Sequence, residues 1–327
     1  MIINRIVKKV FDVCLLGLSI SEVQNLNMSV RDVSDCSEAK DDNGVLCVIY
    51  DDMPLLTEKV LRALAKVCVN ENCGFSLGNG FITKSGYCGT LRSVGIKETE
   101  TYLPERHSYF VSILQKKINA FHARNGVIIE NSDSTFIDFT VKICAKAVIE
   151  PFVTISGNSY IGKKASIRQH SVITDSVVGD GCEVRASTLE NSTVGDRSTV
   201  GPYAYLRNNA RIGKDCRIGD FVEIKNSILA DGVKAAHHSY VGDAEIGSAT
   251  NVGCGTVFCN YDGKKKHRTV VGEKVFIGAN CNLVAPIEVG NGAFIAAGST
   301  VTRSVDENAF VIARSKQITK SFTGCKN

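Results

Sequence analysis

Residues 193–224 read TVGDRSTVGPYAYLRNNARIGKDCRIGDFVEI. An aliphatic side chain returns at every sixth position, as Val194, Val200, Leu206, Ile212, Ile218 and Ile224. Glycine often follows it, as at Gly195, Gly201, Gly213 and Gly219. Small side chains stand two positions before it, at Ser198, Ala204, Ala210 and Cys216. A six-residue repeat is the pattern of a parallel β-helix, in which each hexad makes one short strand and one turn. The aliphatic residue faces the axis, the small one fits the crowded corner, and three hexads close a triangular coil.

The series extends both ways. Upstream it runs through Ile143, Ile149, Ile155, Ile161, Ile167 and Ile173. Downstream it continues through Leu229, Ala235, Val241, Ile246, Val252 and Phe258, then Val271, Ile277, Leu283, Val289, Ile295 and Val301. Between Phe258 and Val271 the count breaks at an inserted loop, CNYDGKKKHRTV, where a rigid scaffold would carry function. Tyr261-Asp262-Gly263 reads as its turn, and the basic run Lys264–Arg268 is either a solvated face or a phosphate cradle. A solenoid is stiff because each coil packs on its neighbours, which suits a site that must hold its groups closely.

The chemistry-bearing stretch is Lys234–Asp243, KAAHHSYVGD, with His237 and His238 inside the repeat. Arg207, Lys225 and His237 lie 18 and 12 residues apart, so they recur at one hexad position apart from a one-residue slip before Leu229. Histidine is the natural side chain for a base of near-neutral pKa, and a carboxylate partner would fix its tautomer. A three-histidine zinc site is disfavoured, because His237 and His238 are adjacent and His267 sits in the loop.

The first 125 residues read differently. The N-terminal MIINRIVKKVFDVCLLGLSIS has an apolar run too short to span a bilayer and reads as an amphipathic helix. Residues 32–44 read as a loop or linker. Val45–Tyr50 is a buried-type strand that ends in Asp51-Asp52, and Thr57–Val69 is helical in pattern. Either aspartate could bind a metal or simply cap the following segment. Residues 108–124 predict an amphipathic helix with Phe110, Leu114, Ile118 and Phe121 on one face. The division expected is 1–125, a small truncated α/β region with its connecting helix, and 126–327, the β-helix.

Composition narrows the partners. A net charge of +4 is too weak to suggest nucleic acid but suits phosphate-bearing small molecules. The 13 cysteines form no C-x-x-C pair and read as reduced, small apolar residues of a cytoplasmic protein. No membrane insertion is expected.

Several segments of the repeat region resemble one bacterial family, the bifunctional glucosamine-1-phosphate N-acetyltransferase/N-acetylglucosamine-1-phosphate uridyltransferases. They are GPYAYLR (201–207), GDFVEIK (219–225), KAAH (234–237) through YVGDAEIG (240–247), NVGCG (251–255), CNYDG (259–263) and LVAP (283–286). The resemblance implies a left-handed parallel β-helix, a homotrimer and acetyl-coenzyme A as cosubstrate. It implies His237 as general base and Glu223 as the carboxylate orienting it. Arg207, Lys225 and Lys266 match the basic residues around the sugar phosphate, and Tyr240 and Asn251 match sugar contacts. Asn260 and Tyr261 match neighbours of the acetyl group; Cys254, Ala279, Ala297 and Arg314 match the cosubstrate groove. Two departures stand out: His238, where the family usually has leucine, and Ala279, where a small polar residue is common.

Val45–Leu56 resembles the family's uridyltransferase strand, with Asp52 as the match to its Mg²⁺ ligand. The Gly-rich nucleotide cradle and the later metal-binding Asn of that family are missing, so uridyl transfer is expected to be lost. One aspartate does not supply the octahedral set Mg²⁺ demands. The alternatives are a hexapeptide acyltransferase for another amino sugar and a non-catalytic trimeric scaffold. The His237–Glu223–Arg207–Lys225 set argues against a scaffold.

Overall fold

The computed structural model describes residues 107–319 continuously, together with eight earlier strands and the helical residues Val60, Ala63, Leu64 and Cys68. The chain divides into two compact units, Met1–Ala120 with Ile137–Phe139, and Phe121–Phe136 with Thr140–Asn327.

In the first unit, the described residues of the expected N-terminal helix lie in strands. Ile3–Lys8 is a strand, paired in parallel with Val45–Tyr50 from Ile3 opposite Val45 to Lys8 opposite Tyr50. Arg31–Asp32 pairs on its other side, so Asp32 belongs to a strand rather than to the expected loop. β-Branched Ile3, Ile6 and Val7 suit a strand, and pairing on both sides satisfies backbone groups along the segment. Val45–Tyr50 forms as its apolar run predicts, inside the sheet, with Gly80–Lys84 antiparallel on its far side. Asp51, Asp52 and most of Thr57–Val69 lie outside the described residues, as does residue 33 through residue 44.

Helix α1, His107–Arg124, forms as predicted. Phe110 and Leu114 are buried, but Phe121 is 60% exposed and His122 is buried in its place. The chain doubles back over the last turn, where the Val127 N–H donates to the His122 carbonyl at 3.1 Å. Burial pulls the His122 imidazole below its usual pKa.

From Ile128 the second unit is a left-handed parallel β-helix of about 10 coils. Its three faces are sheets of ten, nine and eleven strands. The residue opposite each strand position lies one coil further along the chain: Leu206 faces Ile224, which faces Val241. The hexad aliphatics fill the axis: Ile155, Leu206, Ile218, Ile224 and Phe258 are all 0% exposed. Only Ile143, at the start of the series, is half-buried. The predicted corner residues Ser198, Ala204, Ala210 and Cys216 are buried as well. Serines there satisfy neighbouring backbone, as where Ser198 Oγ donates to the Gly213 carbonyl at 2.8 Å and accepts from Cys216 N–H at 2.9 Å. Among the described residues, no helix is long and apolar enough to cross a membrane.

The inserted loop leaves the stack after Cys259 and rejoins at Thr269–Val271. Its turn is tied by Asp262. One carboxylate oxygen accepts from the N–H groups of Lys264 and Lys265 at 2.7 and 2.8 Å, and the other meets His267 Nε2 at 2.7 Å. The Lys265 and Lys264 amides and the His267 ring hold the Asp262 carboxyl at about 2, well below its usual 3.8. A carboxyl depressed in the folded state stabilises it above the unfolded value and loses that effect as pH falls through the folded one. The loop is therefore expected to hold at neutral pH and to loosen between about pH 3.8 and 2. Asp262→Ala is expected to loosen it at neutral pH, read as faster tryptic cleavage within Lys264–Arg268 while the coil far-UV signal stays unchanged. Equal cleavage rates in both proteins would remove Asp262 as the tie.

Candidate active site

One corner of the solenoid, between the eleven-stranded and ten-stranded faces, gathers most of the predicted site. Each coil enters it at the end of an eleven-stranded-face strand and leaves at the start of a ten-stranded-face strand. Arg217–Asp220 turns into Glu223–Lys225, and one coil later Lys234–His237 turns into Tyr240–Gly242. In register, Asp220 lies opposite His237, Glu223 opposite Tyr240, and Arg207 opposite Lys225.

The carboxylate at the imidazole is Asp220, not Glu223. His237 Nδ1 lies 2.6 Å from Asp220 Oδ1. Glu223 stands across the corner and is engaged by Arg207, whose Nε and Nη2 donate to Glu223 Oε1 at 2.9 and 2.6 Å. The reason is the parallel stack: a side chain meets the residue one coil away, and for His237 that residue is Asp220. Gly219 permits the approach, since a Cβ there would collide with the Ala236 carbonyl oxygen. The His237 contact holds the Asp220 carboxyl below its usual range. His237 itself keeps 53% of its side chain exposed.

His238 has a separate place. It sits in the corner with φ +42° and stacks on Phe221 at 4.9 Å between ring centroids; Phe221 in turn stacks on Tyr203 at 5.4 Å. His238 thus stands apart from the Asp220–His237 contact. His267 is engaged by Asp262, so the three histidines have three different settings.

Beyond the corner, a basic cluster forms. Lys225 is only 9% exposed, and its ammonium pushes the Lys266 pKa below the usual lysine range, a like-charge contact between face and loop. Buried Asp243 anchors the loop's first residue: Asn260 Nδ2 donates to Asp243 Oδ2 and Asn226 Nδ2 to Asp243 Oδ1, both at 2.5 Å. Asn260 Nδ2 also reaches the Tyr240 hydroxyl at 3.4 Å. Tyr240 and Asn260 crowd Gly242, where any Cβ would meet both side chains. Two adjacent ammonium groups with one nearby carboxylate make a setting for an anion.

Cys254, Ala279 and Ala297 continue the His237 column upward, coil by coil. The Gly255 N–H donates to the His237 carbonyl at 3.3 Å, Asn280 N–H to Cys254 at 2.7 Å and Gly298 N–H to Ala279 at 2.8 Å. Cys254, Ala279, Ala297 and Arg314 are all exposed, so the column is an open strip leading away from His237. Asn251 lies on the strand that leads into Cys254, beside Lys234 in register. Tyr261 stands at the loop, 60% exposed, with its hydroxyl donating to the Gly263 carbonyl at 2.8 Å. Asp52, the expected Mg²⁺ ligand, lies outside the described residues.

The family described as the GMPPB C-terminal domain matches residues 188–324. A curated protein of Staphylococcus haemolyticus named Bifunctional protein GlmU is 49% identical over 207 residues, 63% of this chain and 46% of its own. Another of that name, from Clostridium botulinum, is 48% identical over 208 residues, 64% of this chain and 46% of its own. Over its C-terminal part, this chain is similar to the proteins named GlmU. The N-terminal part lies outside the GlmU match, and the chain spans about half the length of the GlmU proteins it matches. Asp220, Glu223, His237 and the inserted loop all fall within residues 188–324. Among solved structures, the UDP-N-acetylglucosamine acyltransferase from Campylobacter jejuni is 14% identical, with a TM-score of 0.38, over 57% of this chain and 70% of its own.

Proposed function

We propose that this protein transfers the acetyl group of acetyl-coenzyme A to the amine of glucosamine 1-phosphate, giving N-acetylglucosamine 1-phosphate. The observation that carries this reading is a half-exposed imidazole with Nδ1 on a carboxylate, one corner away from the Lys225–Lys266 pair. The amine attacks the thioester carbonyl, forming the C–N bond. His237 Nε2 takes the amine proton, the C–S bond breaks, and that proton passes to the departing thiolate. Arg207, Lys225 and Lys266 hold the sugar phosphate, with Tyr240 and Asn251 on the sugar. Asn260 and Tyr261 flank the acetyl group. Cys254, Ala279, Ala297 and Arg314 line the cosubstrate groove. The open strip is compatible with completion by a neighbouring copy, and we take a cytoplasmic homotrimer as the working form.

The test is thiol release from acetyl-coenzyme A with glucosamine 1-phosphate. Absence of turnover by the wild type would refute the reading. Lys225→Ala is expected to raise KM for the sugar phosphate about 10- to 100-fold, the worth of one charge-assisted hydrogen bond. An unchanged KM would favour an acyltransferase for another amino sugar.

Uridyl transfer is taken to be lost from this chain, since Asp52 alone does not supply the octahedral set Mg²⁺ demands. No pyrophosphate release is expected from UTP and N-acetylglucosamine 1-phosphate with Mg²⁺, and robust turnover would overturn the assignment.

A further inference from the structure

We propose that Asp220 is the positioning residue of the base: it holds His237 in the Nδ1–H tautomer and leaves Nε2 as the nitrogen that takes the proton. This rests on the acetyltransferase reading for its catalytic consequence, but its structural half stands independently.

The geometry is specific. The Asp220–His237 contact, at 2.6 Å, joins residues directly opposite in adjacent coils. The backbone beneath both is tied: the His238 N–H donates to the Asp220 carbonyl at 2.9 Å. Gly219 lets the two strands close at this point. The contact is therefore set by two neighbouring coils of a stiff stack, not by a loose surface pair. An ionised carboxylate is acceptor-only, so the ring nitrogen facing it must carry the proton. In neutral imidazole the other nitrogen is then the acceptor, which is the form a general base needs. Of the nearby titratable residues, His238 stacks on Phe221 and Glu223 is taken by Arg207, while Cys254 lies one coil above. Asp220 is thus the only carboxylate bonded to the imidazole among the described residues.

Chemically, a carboxylate at Nδ1 also supports the imidazolium that forms when Nε2 accepts the proton. Removing that charge lowers the proton affinity of the ring. An amide at the same place can donate to Nδ1 as well as accept from it, which admits the unproductive Nε2–H form.

The experiment uses the full chain. Imidazole ¹⁵N–¹H correlation spectra above the His237 titration are expected to show the Nδ1–H tautomer in the wild type. In Asp220→Asn the Nε2–H form should gain population. Its kcat should fall about tenfold or more, within the 10²–10⁴ a general base contributes. KM for both substrates should stay within about twofold, since the groups proposed to bind them are untouched. The acid limb of kcat/KM should move to lower pH, a change that mere loosening of the coil does not cause. A wild-type ring in the Nε2–H form overturns the proposal without any variant. So does an Asp220→Asn protein with unchanged tautomer, kcat and pH profile. If the wild type transfers no acetyl group, the function reading fails while the tautomer spectra still decide the role of Asp220.

Discussion

His237→Ala is expected to lower kcat for acetyl transfer by about 10²–10⁴-fold, the usual contribution of a positioned general base. His237 is the imidazole of the corner whose Nδ1 is bonded to a carboxylate, which leaves Nε2 as the acceptor. The Lys225 and Lys266 ammonium groups are donors without an acceptor, and Glu223 is bonded to Arg207. The alanine variant keeps the Arg207–Lys225–Lys266 cluster and the open column above, so KM should change little and the loss should fall on kcat. His237 ends its strand with more than half its side chain exposed, so truncation leaves no buried cavity and the coil should fold. Initial rates of thiol release across pH 6–9 decide the matter. A variant that retains the wild-type rate, or loses it only through KM, would remove His237 as the base.

Phe258→Ala is expected to destabilise the solenoid by about 3–5 kcal/mol, the range for emptying a buried phenylalanine site. Phe258 is 0% exposed and is one of the two largest fully buried side chains in the described structure. It occupies a hexad position otherwise filled by smaller aliphatics, between Val241 and Leu283 in adjacent coils. The inserted loop leaves the stack directly after it, at Cys259. An alanine would leave a void inside a stack whose stability is a sum of coil and neighbour terms. Stabilities of whole domains run to about 5–15 kcal/mol, so the loss is a large fraction of the total. Denaturant unfolding of wild type, Phe258→Ala and Phe258→Leu provides the measurement, with leucine expected to recover much of the loss. A cost below about 1 kcal/mol for alanine would mean that the site collapses freely. Because the Asn260–Lys266 segment hangs from the next residues, the alanine variant should also bind the sugar phosphate more weakly under conditions where it remains folded.

The contrast between Phe121 and Phe258 shows where a local pattern suffices. Phe258 lies in a repeat, and a repeat tells each residue its environment because every coil presents the same interior to the next. Phe121 lies at the end of a single helix. Its angular position matches Phe110 and Leu114, yet it is 60% exposed while His122 beside it is buried, a difference that no helical period encodes. The N-terminal strand Ile3–Lys8 makes the same point. Its partners, Arg31–Asp32 and Val45–Tyr50, are distant in sequence, and their pairing overrode the helical reading.

From the sequence alone came the β-helix, its axis-facing side chains, its corner residues, the break at the inserted loop, and the placing of Arg207 and Lys225 in one column. All of these follow from a six-residue period that each hexad repeats locally. Only the tertiary structure decided which charged groups meet. His237 reaches back a whole coil to Asp220, Glu223 turns to Arg207, and Lys266 comes across from the loop to Lys225. Coil length is the physical reason. Successive coils here advance by 18 residues from Arg207 to Lys225 but by 17 from Asp220 to His237. A one-residue change of that kind shortens one interval of the apolar series, here before Leu229, and moves the partner of a side chain.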